Sequence, residues 1–278
     1  MTTSTCCSSP WASPATPHVH RLRRRVDGVI VISVDPHAAA VAEITRLSVP
    51  TSVIGLPSPG AASVRVDDVA GAAMATQHLL NLGHRRIGLI HGRSRRPVFV
   101  AERDRFTGFM NALTDAGIEA DPAIRAPGSF TVAGGEQAMT DLLTHPDPPS
   151  AVFVLSDEMA FGALRALHRH GMRAGTDMSI IGYDDHVLAD AHDLTTIHQP
   201  VADLGAYAAT TLRRMLAGTA MPPGSRSATD QAADLAPPTD LAASADQPTD
   251  LAASADQSAD VVLPVHLVAR GSTGPFRR

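Results

Sequence analysis

The stretch VRVDDVAGAAMATQHLLNLGHRRIGLIHG, residues 64–92, decides the fold of this protein. It begins with a short valine-rich run, continues with apolar residues at helical spacing from Asp67 to Leu82, and closes with an apolar run from Arg86 to His91. Asp67 stands where a helix N-cap is needed, and a glycine follows the helical pattern at 83, where a helix can end. The stretch therefore predicts a strand, a helix and a second strand in succession.

The same alternation of strand and helix patterns fills most of the chain. Strands are predicted at 29–33, 51–54, 63–66, 86–91, 123–126, 151–155, 179–183, 196–198 and 261–270, and helices at 38–47, 67–82, 102–116, 132–143, 157–170 and 201–217. Asp157 is expected to cap its helix in the way Asp67 does. Strands that alternate with helices form parallel sheets covered by helices, so we expect an α/β fold.

Composition excludes several classes of function. The chain has 278 residues and a net charge of −5, and all 23 of its Lys and Arg residues are arginine. The absence of lysine removes Schiff-base and phosphate-loop chemistry. Cys6 and Cys7 are the only cysteines, and two adjacent thiols do not make a disulfide framework or a structural zinc site. No apolar run is long enough for a membrane span, and no secretion signal is evident, so we expect a cytoplasmic protein without membrane contact.

Two segments differ from the rest in composition. Residues 1–25 are rich in Ser, Thr, Pro and Arg and are expected to be a disordered leader. Residues 219–260 contain the decapeptide PTDLAASADQ twice, at 238–247 and 248–257. Few large apolar residues occur there, so we expect a disordered insert, either an inert surface loop or, less simply, a regulatory one.

Further strings of sequence are specific enough to suggest a family. They are VDGVIV at 26–31, VPTSVIG at 49–55, RFTGF at 105–109, SDEMAFGAL at 156–164, SIIGYDD at 179–185, LTTIHQP at 194–200 and LVARGST at 267–273. Together with the opening stretch, they resemble the effector domain of the lactose-repressor/galactose-repressor (LacI/GalR) family of bacterial transcription regulators. The resemblance implies a type I periplasmic-binding-protein-like fold, in which two lobes hold a small ligand between them.

The resemblance also implies how the chain divides. It places 26–66 and 199–218 in an N-terminal lobe and 67–198 and 261–273 in a C-terminal lobe, with the insert at the last crossing between lobes. The family begins with a DNA-binding headpiece and two strand–helix units that residues 1–25 are too short to encode, so we expect an incomplete first lobe. In the family, the first strand of the missing units lies beside the strand at 29–33, so its absence would leave 29–33 as an exposed sheet edge.

Six residues are candidate ligand contacts: four on positions that the resemblance matches, one at the crossing between the lobes, at 199, and one at 103, on the helix that carries the RFTGF string. They are Arg105, Asp184, Phe130, Ser156, Gln199 and Arg103. A planar guanidinium and a carboxylate suit paired hydroxyls, and an aromatic face suits a sugar ring. Simpler interpretations stay open. Arg105 could form a surface ion pair, Arg103 could face water, Asp184 could be a helix cap or a loop residue, and Phe130 could belong to the core.

The predicted function is that of a ligand-sensing domain of a LacI-type repressor. The expected partners are a sugar-like effector, a second copy of the chain, and operator DNA only if a headpiece is present. A solute-binding protein of a transport system is the alternative, since it shares the fold. We expect no enzyme, because no nucleophile elbow, phosphate loop or dinucleotide motif occurs, and we expect no cofactor and no metal. The polar loop 184–193 contains carboxylates and histidines, but without the spacing of a metal site.

Overall fold

A computed structural model describes residues 26–32, 49–58, 61–92, 99–218 and 260–276. Its strands in chain order are β1 (Val29–Ile32), β2 (Thr51–Ile54), β3 (Ala62–Val66), β4 (Ile87–His91), β5 (Arg125–Pro127), β6 (Ala151–Val154), β7 (Ser179–Ile181), β8 (Thr196–His198), β9 (Asp260–Leu263) and β10 (His266–Val268). Its helices are α1 (Asp68–Asn81), α2 (Val100–Asp115), α3 (Val132–Leu143), α4 (Asp157–Arg169) and α5 (Val201–Leu216), with a short 3-10 helix at Pro122–Ile124. Most of these elements lie within two residues of their predicted positions.

The strands form two parallel sheets and one small antiparallel pair. The first sheet has the order β1-β2-β3-β9 and the second has the order β5-β4-β6-β7. Strand β10 pairs antiparallel with β8. The α/β fold with parallel sheets flanked by helices is the one predicted, and it has two lobes rather than one continuous sheet.

The second lobe holds the larger core, because its strands are apolar on both faces. Every residue of β6 is buried, and the fully buried side chains of this lobe include Phe109, Leu89 and Leu155. Helix α1 packs against α2, and α3 packs against α4. Strands buried on both faces read as continuous apolar runs, which is why the sequence predicted them well.

The first lobe is smaller and is covered by α5. Leu204 and Ala208 of that helix pack on Ile54 and Val64 of the sheet. Strand β1 lies at the end of the sheet in the described part of the chain, with the side chain of Ile32 61% exposed. Among the described residues this agrees with the expected edge for 29–32, and Ser33 lies outside them.

The chain passes between the lobes at three places in the described segments. The first crossing is Asp67, between β3 and α1. The second is Gln199 and Pro200, between β8 and α5, and the third is Pro264 and Val265, between β9 and β10.

One part of the expected division is corrected. Residues 261–273, with one strand at 261–270, are expected in the second lobe, but β9 pairs with β3 in the first sheet, and only the residues after Pro264 join the second lobe. Val261 and Leu263 find their burial in the first-lobe core, and proline then ends the ladder because it has no N–H to donate. The described residues that flank the insert, the end of α5 and the start of β9, therefore both belong to the first lobe, whereas the insert was expected at a crossing between the lobes. The leader 1–25, the predicted helix 38–47 and the insert residues 219–259 lie outside the described residues.

Candidate functional site

Arg105 is the centre of a buried polar cluster at the carboxyl edge of the second sheet. It lies in the first half of α2 and is 7% exposed. Its Nε donates to Oδ1 of Asp68 at 2.7 Å, and its Nη1 donates to the carbonyl oxygen of Leu155 at 2.6 Å. The guanidinium carbon lies 3.7 Å from the centre of the Tyr183 ring. Burial by itself lowers the pKa of Arg105, but Asp68 and Asp184 outweigh it, so the pKa is raised and the group stays charged.

Asp184 is the second member of this cluster. Its Oδ1 accepts from Nη1 of Arg105 at 3.3 Å and from Nε2 of Gln199 at 2.6 Å. Burial raises the pKa of its carboxyl, and Arg105 opposes that rise. Its backbone has a φ of 122°, a value that residues other than glycine rarely adopt. Two backbone hydrogen bonds hold the residue in that conformation. Its N–H donates to the carbonyl oxygen of Ile197 at 2.8 Å, and its carbonyl oxygen accepts from the N–H of Gln199.

The fold brings these groups together because the carboxyl ends of parallel strands share one edge. Leu155 follows β6, Asp184 follows β7, and Arg105 faces them from the helix that follows β4. In this sheet β4 has β5 on one side and β6 on the other, so the chain reverses direction across the sheet at β4. Open α/β sheets bind ligands at such a reversal.

An aromatic pair lies at the same edge. Phe130, in the turn between β5 and α3, contacts Phe99 edge to face, with ring centres 6.1 Å apart. Phe99 is 40% exposed and Phe130 is half-buried, with a φ of 53°. A Cβ added at Gly92, after β4, would overlap the Phe130 ring and the Glu102 carboxylate, so these groups crowd around one strand end. Phe130 is thus at the rim of the sheet and not in the interior of the core.

Ser156 and Asp157 lie at the start of α4, and Ser156 takes the capping role that was expected of Asp157. Ser156 is the N-cap of α4 and accepts from the N–H of Met159, so the expected cap at Asp157 is wrong. Asp157 is fully buried and instead accepts from the hydroxyl of Thr196 at 2.7 Å and from the N–H of His186 at 2.8 Å. Burial raises the pKa of Asp157 to about 7. It thereby joins α4, β8 and the loop that carries Asp184.

The remaining candidates differ in their surroundings. Gln199 is part of the cluster, where its amide is engaged by Asp184. The structure does not bring Arg103 into contact with the cluster, since its Nε donates to Asp104 and its side chain is 60% exposed.

Sequence reasoning missed Asp68 and Tyr183. The Asp67–Asp68 pair was a usable signal, because a helix needs one N-cap residue and the second aspartate then lacks an assigned role. Asp67 is the cap, with Oδ1 accepting from the N–H of Ala70 at 2.9 Å. Tyr183 carried no signal, because an aromatic residue at the end of an apolar strand is typical of a core.

The polar loop after β7 is tied down by ion pairs. Asp185 contacts Nδ1 of His198 and Nη2 of Arg270, each at 2.9 Å. His198 also stacks on His266, with ring centres 4.7 Å apart. These contacts connect the second and third crossings to the loop that presents Asp184.

A family model described as a periplasmic binding protein-like domain matches residues 76–232, more than half of the chain. The chain belongs to the periplasmic binding protein-like domain family. Its relatives within that family are LacI-type regulators, which confirms the predicted resemblance.

Three similar proteins carry this result. The HTH-type transcriptional repressor CytR of Escherichia coli K12 is 36% identical over 211 residues, which are 74% of this chain and 60% of the repressor. A LacI family transcriptional regulator from Enterococcus faecium, solved with bound ribose, has a TM-score of 0.72 and is 30% identical in sequence. The match covers 96% of this chain and 86% of the regulator's chain. A dimeric Lac repressor has a TM-score of 0.71 and 26% identity, with 93% of this chain and 82% of its own covered. The periplasmic binding protein-like chain thus spans about 60% of the length of the curated relative.

Within the described segments of this periplasmic binding protein-like chain, no helix is both long enough and apolar enough to cross a membrane.

Proposed function

We propose that this chain is the effector-sensing domain of a transcription repressor and that its effector is a small sugar or sugar derivative. The observation that carries the proposal is the pairing of Arg105 with Asp184 at the carboxyl edge of the second sheet. A guanidinium beside a carboxylate presents donors and acceptors to two neighbouring hydroxyls at once.

The pair keeps polar atoms for a ligand. Among the described residues, the hydrogen bonds of Arg105 use Nε and Nη1, and those of Asp184 use Oδ1. Nη2 can therefore donate to one hydroxyl of a vicinal pair while Oδ2 accepts from the next. Arginine is fixed in this position by three protein contacts, so little side-chain freedom is lost on binding.

The aromatic pair supplies the apolar part of such a site. The Phe130 ring lies beside the strand end of β4, and Phe99 is exposed next to it. The C–H face of a sugar ring packs on an aromatic face, while its hydroxyls reach polar groups at the edge. Ser156, Gln199 and Arg103 remain proposed further contacts; the hydroxyl of Ser156 still has a proton to donate, while Gln199 also orients Asp184.

The regulatory role is inferred from the relatives. A ligand that closes two lobes changes the relative position of surfaces on both, and a homodimer can pass this change to bound DNA. The dimeric state of the solved Lac repressor favours a homodimer here, and operator DNA is contacted only where a headpiece accompanies this domain. We place the protein in the cytoplasm and assign no catalysis, because the named relatives are transcription regulators. The transport alternative gains no support from them.

The test is titration of the full chain with ribose and with a panel of other pentoses, hexoses and nucleosides, followed by calorimetry and thermal unfolding. We expect at least one sugar to raise the unfolding temperature and to be recovered chemically unchanged. R105A and D184N are expected to weaken binding of that sugar by about 10-fold or more, as the loss of a charge-assisted hydrogen bond implies.

The matched control is R169A. Arg169 is in the last turn of α4, its side chain is 66% exposed, and it pairs with Glu136 away from the cluster. Binding by R105A equal to that by R169A would refute the proposed site, and conversion of the sugar would refute the assignment as a sensor.

A further inference from the structure

Arg105 and Asp68 form a buried contact that uses none of the atoms proposed to bind the effector. The Nε–Oδ1 distance is 2.7 Å, the two side chains are 9% and 10% exposed, and the partners lie 37 residues apart on α2 and at the start of α1. A charge-assisted hydrogen bond between two buried groups is strong and directional, so it fixes the plane of the guanidinium.

The role of Asp68 is not that of a helix cap. The adjacent Asp67 accepts from the N–H of Ala70 and is exposed, whereas Asp68 is turned inward and is 9% exposed. A carboxylate in the first turn of a helix is favourable in itself, but that effect needs no burial. Burial of Asp68 is explained by its partner, Arg105.

The position of Asp68 in the fold adds a second consequence. It is the first residue of the second lobe after the first crossing, and Gln199, which donates to Asp184, lies at the second crossing. Arg105 and Asp184 are therefore each bonded directly to a residue at a different crossing between the lobes.

We propose that Asp68 is a positioning residue that orients the guanidinium of Arg105 toward the effector and links it to the first crossing. The proposal rests on the proposed function for its meaning in effector binding, but the positioning itself is independent of the effector. Among the described residues, removal of the carboxylate should leave Arg105 with the Leu155 carbonyl, Asp184 and the Tyr183 ring to orient it.

The experiment compares D68A with D67A in the full chain labelled with ¹⁵N-arginine. The Nε–Hε signal of Arg105 is assigned by its disappearance in R105K and is expected downfield because a carboxylate accepts the proton. We expect D68A to move this signal upfield or to lose it through exchange with water. D67A should lower the unfolding temperature through loss of the cap but leave the signal in place.

The conservative variant D68N is the rescue. Its amide oxygen can accept the same hydrogen bond, so the signal should return to an intermediate position, and this variant also serves if D68A does not fold. The proposal is overturned if the Arg105 signal in both Asp68 variants coincides with that of the wild type, or if D67A moves it as far as D68A does.

Ribose binding by the same variants separates this inference from the proposed function. We expect ribose affinity to fall about 10-fold in D68A, to recover partly in D68N, and to stay unchanged in D67A. A wild type that binds neither ribose nor another sugar of the panel would refute the proposed function, while the signal of Arg105 would still decide whether Asp68 positions it. Equal sugar affinity in wild type and D68A, with a displaced signal, would refute the link between position and binding.

Discussion

Nη1 of Arg105 lies 3.3 Å from Oδ1 of Asp184, although the two residues are 79 positions apart in the chain. One comes from the helix after β4 and the other follows the end of β7, so three of the four strands of the second sheet lie between them in sequence. Their contact is the physical basis of the proposed effector site.

The backbone of Asp184 gives the first prediction. Its φ of 122° is costly for any residue with a Cβ, by about 1–3 kcal/mol, whereas glycine adopts such values freely. We expect D184G to be more stable than D184A by about 1 kcal/mol, the strain relief exceeding the larger chain entropy of glycine. Urea unfolding measures the difference. Both variants lack the carboxylate, so neither should bind the effector, and an alanine variant as stable as the glycine variant would contradict the strain.

The buried carboxyl of Asp157 gives a prediction for pH. Burial raises its pKa from the ordinary 3.8 to about 7, so the folded protein holds a proton that the unfolded chain releases near pH 4. Its contribution to stability is therefore present at low pH and is lost as pH rises toward 7. An asparagine imitates the protonated carboxyl and does not titrate. We expect the free energy of unfolding of the wild type, minus that of D157N, to fall between pH 5 and pH 8. Urea unfolding at each pH measures this difference. A difference that rises with pH would show that the carboxyl is ionised in the folded state.

His84 should respond to pH in the opposite direction. It is 3% exposed and contacts the hydroxyls of Ser150 and Ser179, each at 2.9 Å, and the carbonyl oxygen of Gly274 at 3.0 Å. Burial lowers its pKa below 6.5, so the neutral ring is the folded form and stability is lost as pH falls below 6.5. We expect the wild type to lose stability relative to H84Q between pH 7.5 and pH 5.5. Thermal unfolding across this range measures the loss, and parallel curves for the two proteins would refute it.

Gly108 tests the packing of the helix that carries Arg105. A Cβ at this position would overlap the carbonyl oxygen of Val69, because α2 approaches the first turn of α1 without a side chain between them. We expect G108A to lower the free energy of unfolding by about 1–3 kcal/mol, the usual cost of overpacking, and to displace Arg105 from Asp68.

The control for this change is G205A in α5, where an added Cβ meets no atom of the described residues within 4 Å. Alanine is the better helix former, so G205A should raise the free energy of unfolding by about 0.5–1 kcal/mol. Equal effects of the two substitutions in urea unfolding would mean that the close approach of α1 and α2 is not tight.

The sequence by itself determined where the strands and helices of the second lobe lie in the chain. Its strands are buried on both faces and its helices begin and end at local signals such as Asp67, so short-range patterns suffice to locate them. The pairing of Val261 and Leu263 with the first sheet was decided only by the tertiary structure, because an apolar run gives no information on which of two cores will bury it. The same holds for Asp68 and Asp157: each is a plausible helix cap in sequence, and what distinguishes them is the burial of a carboxylate beside a partner that lies tens of residues away.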